Sequence, residues 1–178
     1  MRAALAGRLD DNALLNQGRN LITAASILAT AGVVGSTSLI KVLTDPAAME
    51  AIRAYARSDP VSGCATAVPP EVKVGAGVVA LLASVFSLAQ ALRLQLHFHH
   101  FVAAAKYAAD APGEYDHAFV VEMRRGATAT LLRGQAFFSL GLRLLYAFLP
   151  LLLWTLGATY LLATAAALTA TLYRFDHV

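Results

Sequence analysis

The chain has 178 residues, 58% of them hydrophobic and only 14% charged, with a mean hydropathy of +0.60. Soluble domains carry about 25% charge, so this composition excludes a disordered chain and speaks against a water-soluble one. The net charge of +3 is spread between apolar segments with no basic stripe and no aromatic interleaving, which removes nucleic acid as an expected partner. The lone Cys64 cannot close an internal disulfide and leaves the redox compartment open.

The first residues include Asp10, Asp11, Asn12, Asn16 and Gln17 and no continuous apolar core. No cleavable signal peptide is expected, and the first apolar segment itself acts as the membrane signal. With Leu5, Leu9, Leu14 and Leu15 interspersed, Arg2 to Asn20 suits either a helix at headgroup level that then turns in, or a frayed terminus. Leu21 to Leu43 predicts the first span, because a helix rising 1.5 Å per residue needs about 20 apolar residues to cross a ~30 Å hydrocarbon core. Lys41 can snorkel to the interface, and Ala25, Ala29, Gly32 and Gly35 allow another helix to approach closely. Asp45 and Pro46 predict a helix start, aspartate as cap and proline in the first turn. The short helix that follows puts Met49, Ile52 and Ala56 on one side and Glu50, Arg53 and Arg57 on another, as expected of a helix lying on a membrane or against another subunit. Asp59-Pro60 ends it, and Val61 to Pro70 reads as a loop.

Val72 to His97 predicts the second span, with helix continuing to about Tyr107. Ala76, Ala80 and Ser84 form a small-residue ridge, and Gln90, Arg93, Gln95, His97, His99 and His100 collect towards its end. After a turn at Ala111-Pro112-Gly113, Glu114 to Leu132 predicts an amphipathic helix bearing Glu122, Arg124 and Arg125. Phe137 to Tyr173 holds one charge, Arg143. That run is too long for one span and is expected to break at Gly157, giving spans at about 133–156 and 158–173. The expected architecture is all-α: one integral membrane helical bundle of four transmembrane helices, three if Gly157 does not break the run, with short amphipathic interfacial helices.

With four spans, Arg2, Arg8, Arg19, Arg93, Lys106, Arg124, Arg125, Arg133 and Arg174 fall on the side of the termini, against Lys41, Arg53, Arg57 and Lys73 on the other. Loops rich in Lys and Arg stay inside, so both termini are expected on the cytoplasmic, stromal or matrix side.

Asn12 to Ile22 (NALLNQGRNLI), Phe86 to Arg93 (FSLAQALR), Gly141 to Trp154 (GLRLLYAFLPLLLW) and the terminal Leu172-Tyr173 together resemble the uncharacterised membrane-protein family called domain of unknown function 599, found in bacteria and plants. The resemblance covers almost the whole chain, and its most specific part is Gly-Leu-Arg-Leu-Leu-Tyr followed by Leu-Pro and Trp. It implies a helical integral membrane protein and supplies no reaction, substrate or cofactor. Members usually carry a further hydrophobic helix ahead of the position of Met1. With such a helix upstream the span count rises by one and the orientation argument must be redone. The cluster of His97, His99 and His100 has no counterpart in the resemblance.

Arg143 is the sharpest candidate residue. Ten positions beyond Arg133, it lies about 15 Å deeper along a helix, near mid-membrane, where an arginine costs roughly 2.5 to 3.5 kcal/mol. No Asp or Glu falls inside an apolar segment, so its candidate companions are Gln90, Arg93, Gln135, Tyr146 and carbonyls freed by Pro150. Two readings stand: an anion or lipid-headgroup site, or an arginine that snorkels or bonds carbonyls for packing. His97 and His100 share a helix face and are weak metal candidates, because a site needs three or four ligands and neither a nearby Cys nor an HExxH pattern supplies them. Headgroup-bonded interfacial histidines are the alternative, and no cofactor is expected. Glu114, Asp116 and Glu122 sit on a polar helix start where solvation accounts for them, and with no GxSxG, P-loop or GxGxxG the chain is not expected to be an enzyme. Trp154, Tyr146 and Tyr160 read as packing or interface anchors. The expected function is a non-enzymatic membrane scaffold or accessory subunit in a homo-oligomer or larger membrane complex. The alternative is a small transporter or a lipid- or anion-binding protein that uses the intramembrane arginine.

Overall fold

A computed structural model describes residues 11–57, 68–110 and 117–176, and within these ranges the chain is helical with short connections. The expectations for residues 2–10, Asp59-Pro60, the loop after Val61, the turn at Ala111, and Glu114 and Asp116 lie outside the described residues. Five helices follow in order: α1 Asp11–Thr44, α2 Pro46–Arg57, α3 Pro70–Asp110, α4 His117–Trp154 and α5 Ala158–Asp176. The all-α class is what the composition calls for.

Two expected breaks are absent. The polar segment before Asn20 does not turn before the first span, because α1 runs without interruption from Asp11 to Thr44. Its glycine, Gly18, is held in the helix by packing against the ring of His99. The amphipathic stretch before Leu132 and the span after Arg133 are likewise one helix of 38 residues. No proline or loop-forming cluster lies between them, so nothing competes with continued hydrogen bonding. Among the described residues three helices are long and apolar enough to cross a membrane: Gly18–Thr44, Pro70–Ala108 and His117–Trp154. The last two have 39 and 38 residues, so each reaches beyond a hydrocarbon core that about 20 residues would fill.

Helix boundaries follow the local chemistry. The Asp45 carboxylate accepts a hydrogen bond from the Ala47 amide at 3.0 Å, capping α2 while Pro46 takes the first helical position. Pro70 opens α3 in the same way, and the Pro69 carbonyl accepts from Val72 N at 3.0 Å. Gly157 divides α4 from α5 as expected: the last turn of α4 tightens through Thr155 N to Leu152 O and Leu156 N to Leu153 O, and the Gly157 carbonyl then accepts from Leu161 N.

On α3 the buried positions Val74, Gly77, Leu81, Ser84, Leu88, Ala91, Gln95, Phe98 and Ala105 alternate steps of three and four, resuming after half-buried Val102. That is a 3.5-residue period, the spacing that keeps one seam facing its neighbours in left-handed helix packing. Half of the apolar window of α3 is buried, against 11% for α1 and for α4, so α3 is the most buried of the three.

The chain forms two compact units, Met1–Ala29 with Ser87–Leu140, and Thr30–Phe86 with Gly141–Val178. In the second, Gly32 packs on Val85, Gly35 on Leu81, and Gly77 on Leu39 and Phe148. These pairs run in opposite directions along the sequence, so α1 and α4 both pack antiparallel to α3 there. The Ser84 hydroxyl donates to the Gly141 carbonyl at 2.7 Å, a bond between helices that the missing side chain of Gly141 permits. α2 buries Met49, and its Arg53 pairs with Glu50 at 3.2 Å and with Glu71 at the start of α3. The amphipathic helix is thereby tied to its own chain, and bonds from Glu71 and Glu50 raise the Arg53 pKa. In the first unit Gly126 packs on Phe101 and Gly134 on Gln95 and Leu94, again with α3 and α4 antiparallel.

Candidate functional site

Each unit presents polar side chains in a different way. In the second unit Arg143 lies on α4 with its side chain exposed, and Tyr146, one turn on, is 37% exposed. In the first unit Arg93 and Gln135 are exposed and Gln90 is half-buried. Ion pairing among the described residues involves Arg53, Glu50 and Glu71 and leaves Arg143 aside. An outward Arg143 is chemically suited to a lipid phosphate or a second protein, both of which approach from outside.

Lys73 is the site residue that sequence reasoning missed. Counted only among the cations on the side away from the termini, it is 2% exposed, and its ammonium lies 5.4 Å from the centroid of the Trp154 ring. A desolvated cation on the face of Trp gains about 2 kcal/mol from the ring quadrupole. The antiparallel approach of α3 and α4 in this unit brings the two together, and the sequence signals it only by giving each helix one such residue near the matching end. Trp154 is thus a packing anchor with a specific partner.

The histidines separate. His97 and His100 are exposed, while His99 is half-buried and meets Phe98 edge-on, with ring centroids 5.6 Å apart. Among the described residues no three His, Cys, Asp or Glu side chains gather into a group that could hold a metal ion. One turn before His99, Gln95 is 3% exposed. Among the described residues neither amide atom of Gln95 nor the His99 Nε2 has a hydrogen-bond partner.

The outer faces carry large apolar side chains: Ile27, Val34, Val79, Phe86, Leu132 and Leu162 are each more than 60% exposed. Between them, exposed hydroxyls satisfy themselves. Thr37 donates to Val33 O, Ser38 to Val34 O, Thr169 to Ala165 O and Thr171 to Ala167 O, all within 2.9 Å. A hydroxyl bonded to the carbonyl one turn back needs no water, which is the requirement on a face turned to lipid.

Long apolar helices with self-satisfied outer hydroxyls are the features of a helical membrane protein. The family profile described as "Protein of unknown function, DUF599" matches residues 3–178, and the chain belongs to that family. This is the family that the motifs around Asn12, Phe86 and Gly141 resemble. No curated protein and no solved structure matches the chain significantly.

Proposed function

We propose that the chain is a multi-pass membrane protein of four spans, α5 supplying the fourth, with both termini on the cytoplasmic or equivalent side, and that it acts as a non-enzymatic scaffold or accessory subunit. The observation that carries this reading is the outward Arg143 on a face of α4 that otherwise bears no charge from Phe137 to Trp154. A transport pathway would enclose its charge, whereas an accessory subunit offers it to a neighbour in the bilayer. The buried seam of α3 supports the same reading, since it is filled largely by small and apolar side chains. α5 has 19 residues and, rising 1.5 Å per residue, is close to the length needed to cross ~30 Å.

Topology and function are tested separately. With four spans, Cys64 is modified by an impermeant thiol reagent from the side opposite a tag at Val178, and modification from the same side overturns the count. Purification in mild detergent tests the subunit reading: the protein is expected to travel in fixed stoichiometry with a second chain or with copies of itself. A monomer that binds only lipid favours the lipid- or anion-binding alternative.

A further inference from the structure

Basic side chains of the first unit gather at one level on three helices. On α3, Arg93, His97 and His100 are exposed and follow at steps of four and three, so they share one outward face. The neighbouring helices bring arginines to the same height. Gly134 of α4 stands against Gln95 of α3, and the adjoining Arg133 is exposed; Gly18 of α1 stands against His99, and the adjoining Arg19 is exposed. Arg93 to His100 rises about 10 Å at 1.5 Å per residue, so all five side chains start from a band of about that depth. No Asp or Glu occurs in 12–29, 87–109 or 123–140, the stretches of α1, α3 and α4 that hold the band.

The band falls where the hydrocarbon ends. The sequence has no charge from Val74 to Leu92 on α3 or from Asn20 to Ile40 on α1, each stretch close to the ~20 residues that fill a hydrocarbon core. Arg93 and Arg19 are the first charges beyond those stretches. Among the basic residues, Leu96 of α3 and Leu132 of α4 stand exposed as well.

We propose that this basic band binds anionic phospholipids at the headgroup layer. The arginine forks can take phosphate oxygens in pairs and the imidazoles can donate to others, while the exposed leucines lie along the acyl chains. A free phosphate would gain nothing from the leucines. A zwitterionic headgroup would bring a cation of its own, for which the band holds no carboxylate. The proposal rests on the chain crossing a membrane, and neither on the number of spans nor on the subunit role.

The test reconstitutes the full chain into vesicles of phosphatidylcholine and phosphatidylglycerol in equal amounts, extracts it in mild detergent and measures the lipid that stays bound by mass spectrometry. Wild type is expected to retain phosphatidylglycerol several-fold over phosphatidylcholine. Changing Arg19, Arg93 and Arg133 together to Gln should abolish that preference, and Lys41→Gln, which removes an exposed charge beyond the far end of the uncharged stretch of α1, should keep it. Equal retention of the two lipids by wild type overturns the proposal, as does an equal loss in Lys41→Gln and the triple variant. Loss of the preference on adding inorganic phosphate makes the ligand a free anion, and an acidic protein retained in place of lipid makes it a partner chain; either result overturns the lipid. If the triple variant does not accumulate, Arg93→Gln alone is expected to weaken the preference, and no change there overturns it. A chain that fails to enter phosphatidylcholine vesicles brings down the membrane reading and this proposal together, whereas entry without lipid preference brings down only the proposal.

Discussion

Lys73 on α3 places its ammonium 5.4 Å from the ring centroid of Trp154 on α4, and both lie at the end of their helices where the two meet. The relationship joins the start of one long helix to the finish of another, so it sets how far α3 and α4 slide past each other in the second unit. It also makes the cation dependent on the ring: Lys73 is buried, and its ammonium lies over the indole.

Trp154→Ala should cost about 3 kcal/mol, the low end for removing a large aromatic because the ring is only half-buried. Trp154→Phe should cost less, since a weaker quadrupole still covers the ammonium. Lys73→Met should be neutral or stabilising, as replacing a buried charge by an apolar side chain of similar shape often is. Thermal unfolding in detergent of the single variants and the double variant checks the pairing. Strictly additive effects would show that the two residues do not act on each other.

Glycines on the packed faces divide into those that make contact and those that do not. A Cβ at Gly32 would stand 2.6 Å from the Val85 Cγ2, and the stiff branched valine has little room to yield. Gly32→Ala should therefore destabilise by about 1 to 3 kcal/mol, overriding the helix propensity that alanine gains. At Gly75 nothing stands within 4 Å of the added carbon. Gly75→Ala should stabilise by up to about 1 kcal/mol, and the opposite signs of the two variants are read from melting temperatures under one condition.

Ser84→Ala removes the buried bond to the Gly141 carbonyl. Hydrogen bonds between membrane helices average about 0.6 kcal/mol, so a loss of that order is expected. Ser38→Ala deletes a bond of similar length that runs only to Val34 of the same helix, and it should be near neutral. An equal loss for the two serines would mean that the α3–α4 bond does not tie the helices.

Arg143→Leu should insert at least as well as wild type, because an arginine near mid-membrane costs roughly 2.5 to 3.5 kcal/mol on insertion scales. The same variant should lose whatever chain associates through that face. Arg143→Lys should restore association only in part, since a point charge cannot reproduce the planar fork that meets two oxygens at once. Membrane yield and co-purification are measured together for both variants. Lysine behaving as wild type in both would reduce Arg143 to a snorkelling residue.

Much of the fold is written locally. Long apolar runs fix helices of membrane-crossing length, because an apolar backbone shielded from water must satisfy its own hydrogen bonds. The α2 start at Asp45-Pro46 and the break at Gly157 are equally local, each depending on a cap, a proline or a glycine within one turn. The motifs around Asn12 and Gly141 were enough to identify the family.

Tertiary structure decided what periodicity in an apolar helix conceals. From Val74 to Leu92 α3 carries no charge on any side, so no stripe in its sequence distinguishes Leu88, fully buried, from Leu82, 49% exposed. In water a core face is marked by contrast with polar residues; in lipid both faces are apolar, and only packing against a neighbouring helix selects one. The same reason hides the partners. That Lys73 lies under Trp154, that Gln95 is enclosed over Gly134, and that Arg143 faces outward depend on the rotation of α3 and α4 about their axes. Those rotations are set by glycines meeting side chains far away in sequence. Residue type alone made Arg143 the sharpest candidate and Lys73 an ordinary cation at the start of a span; enclosure by a second helix reversed which of the two is buried.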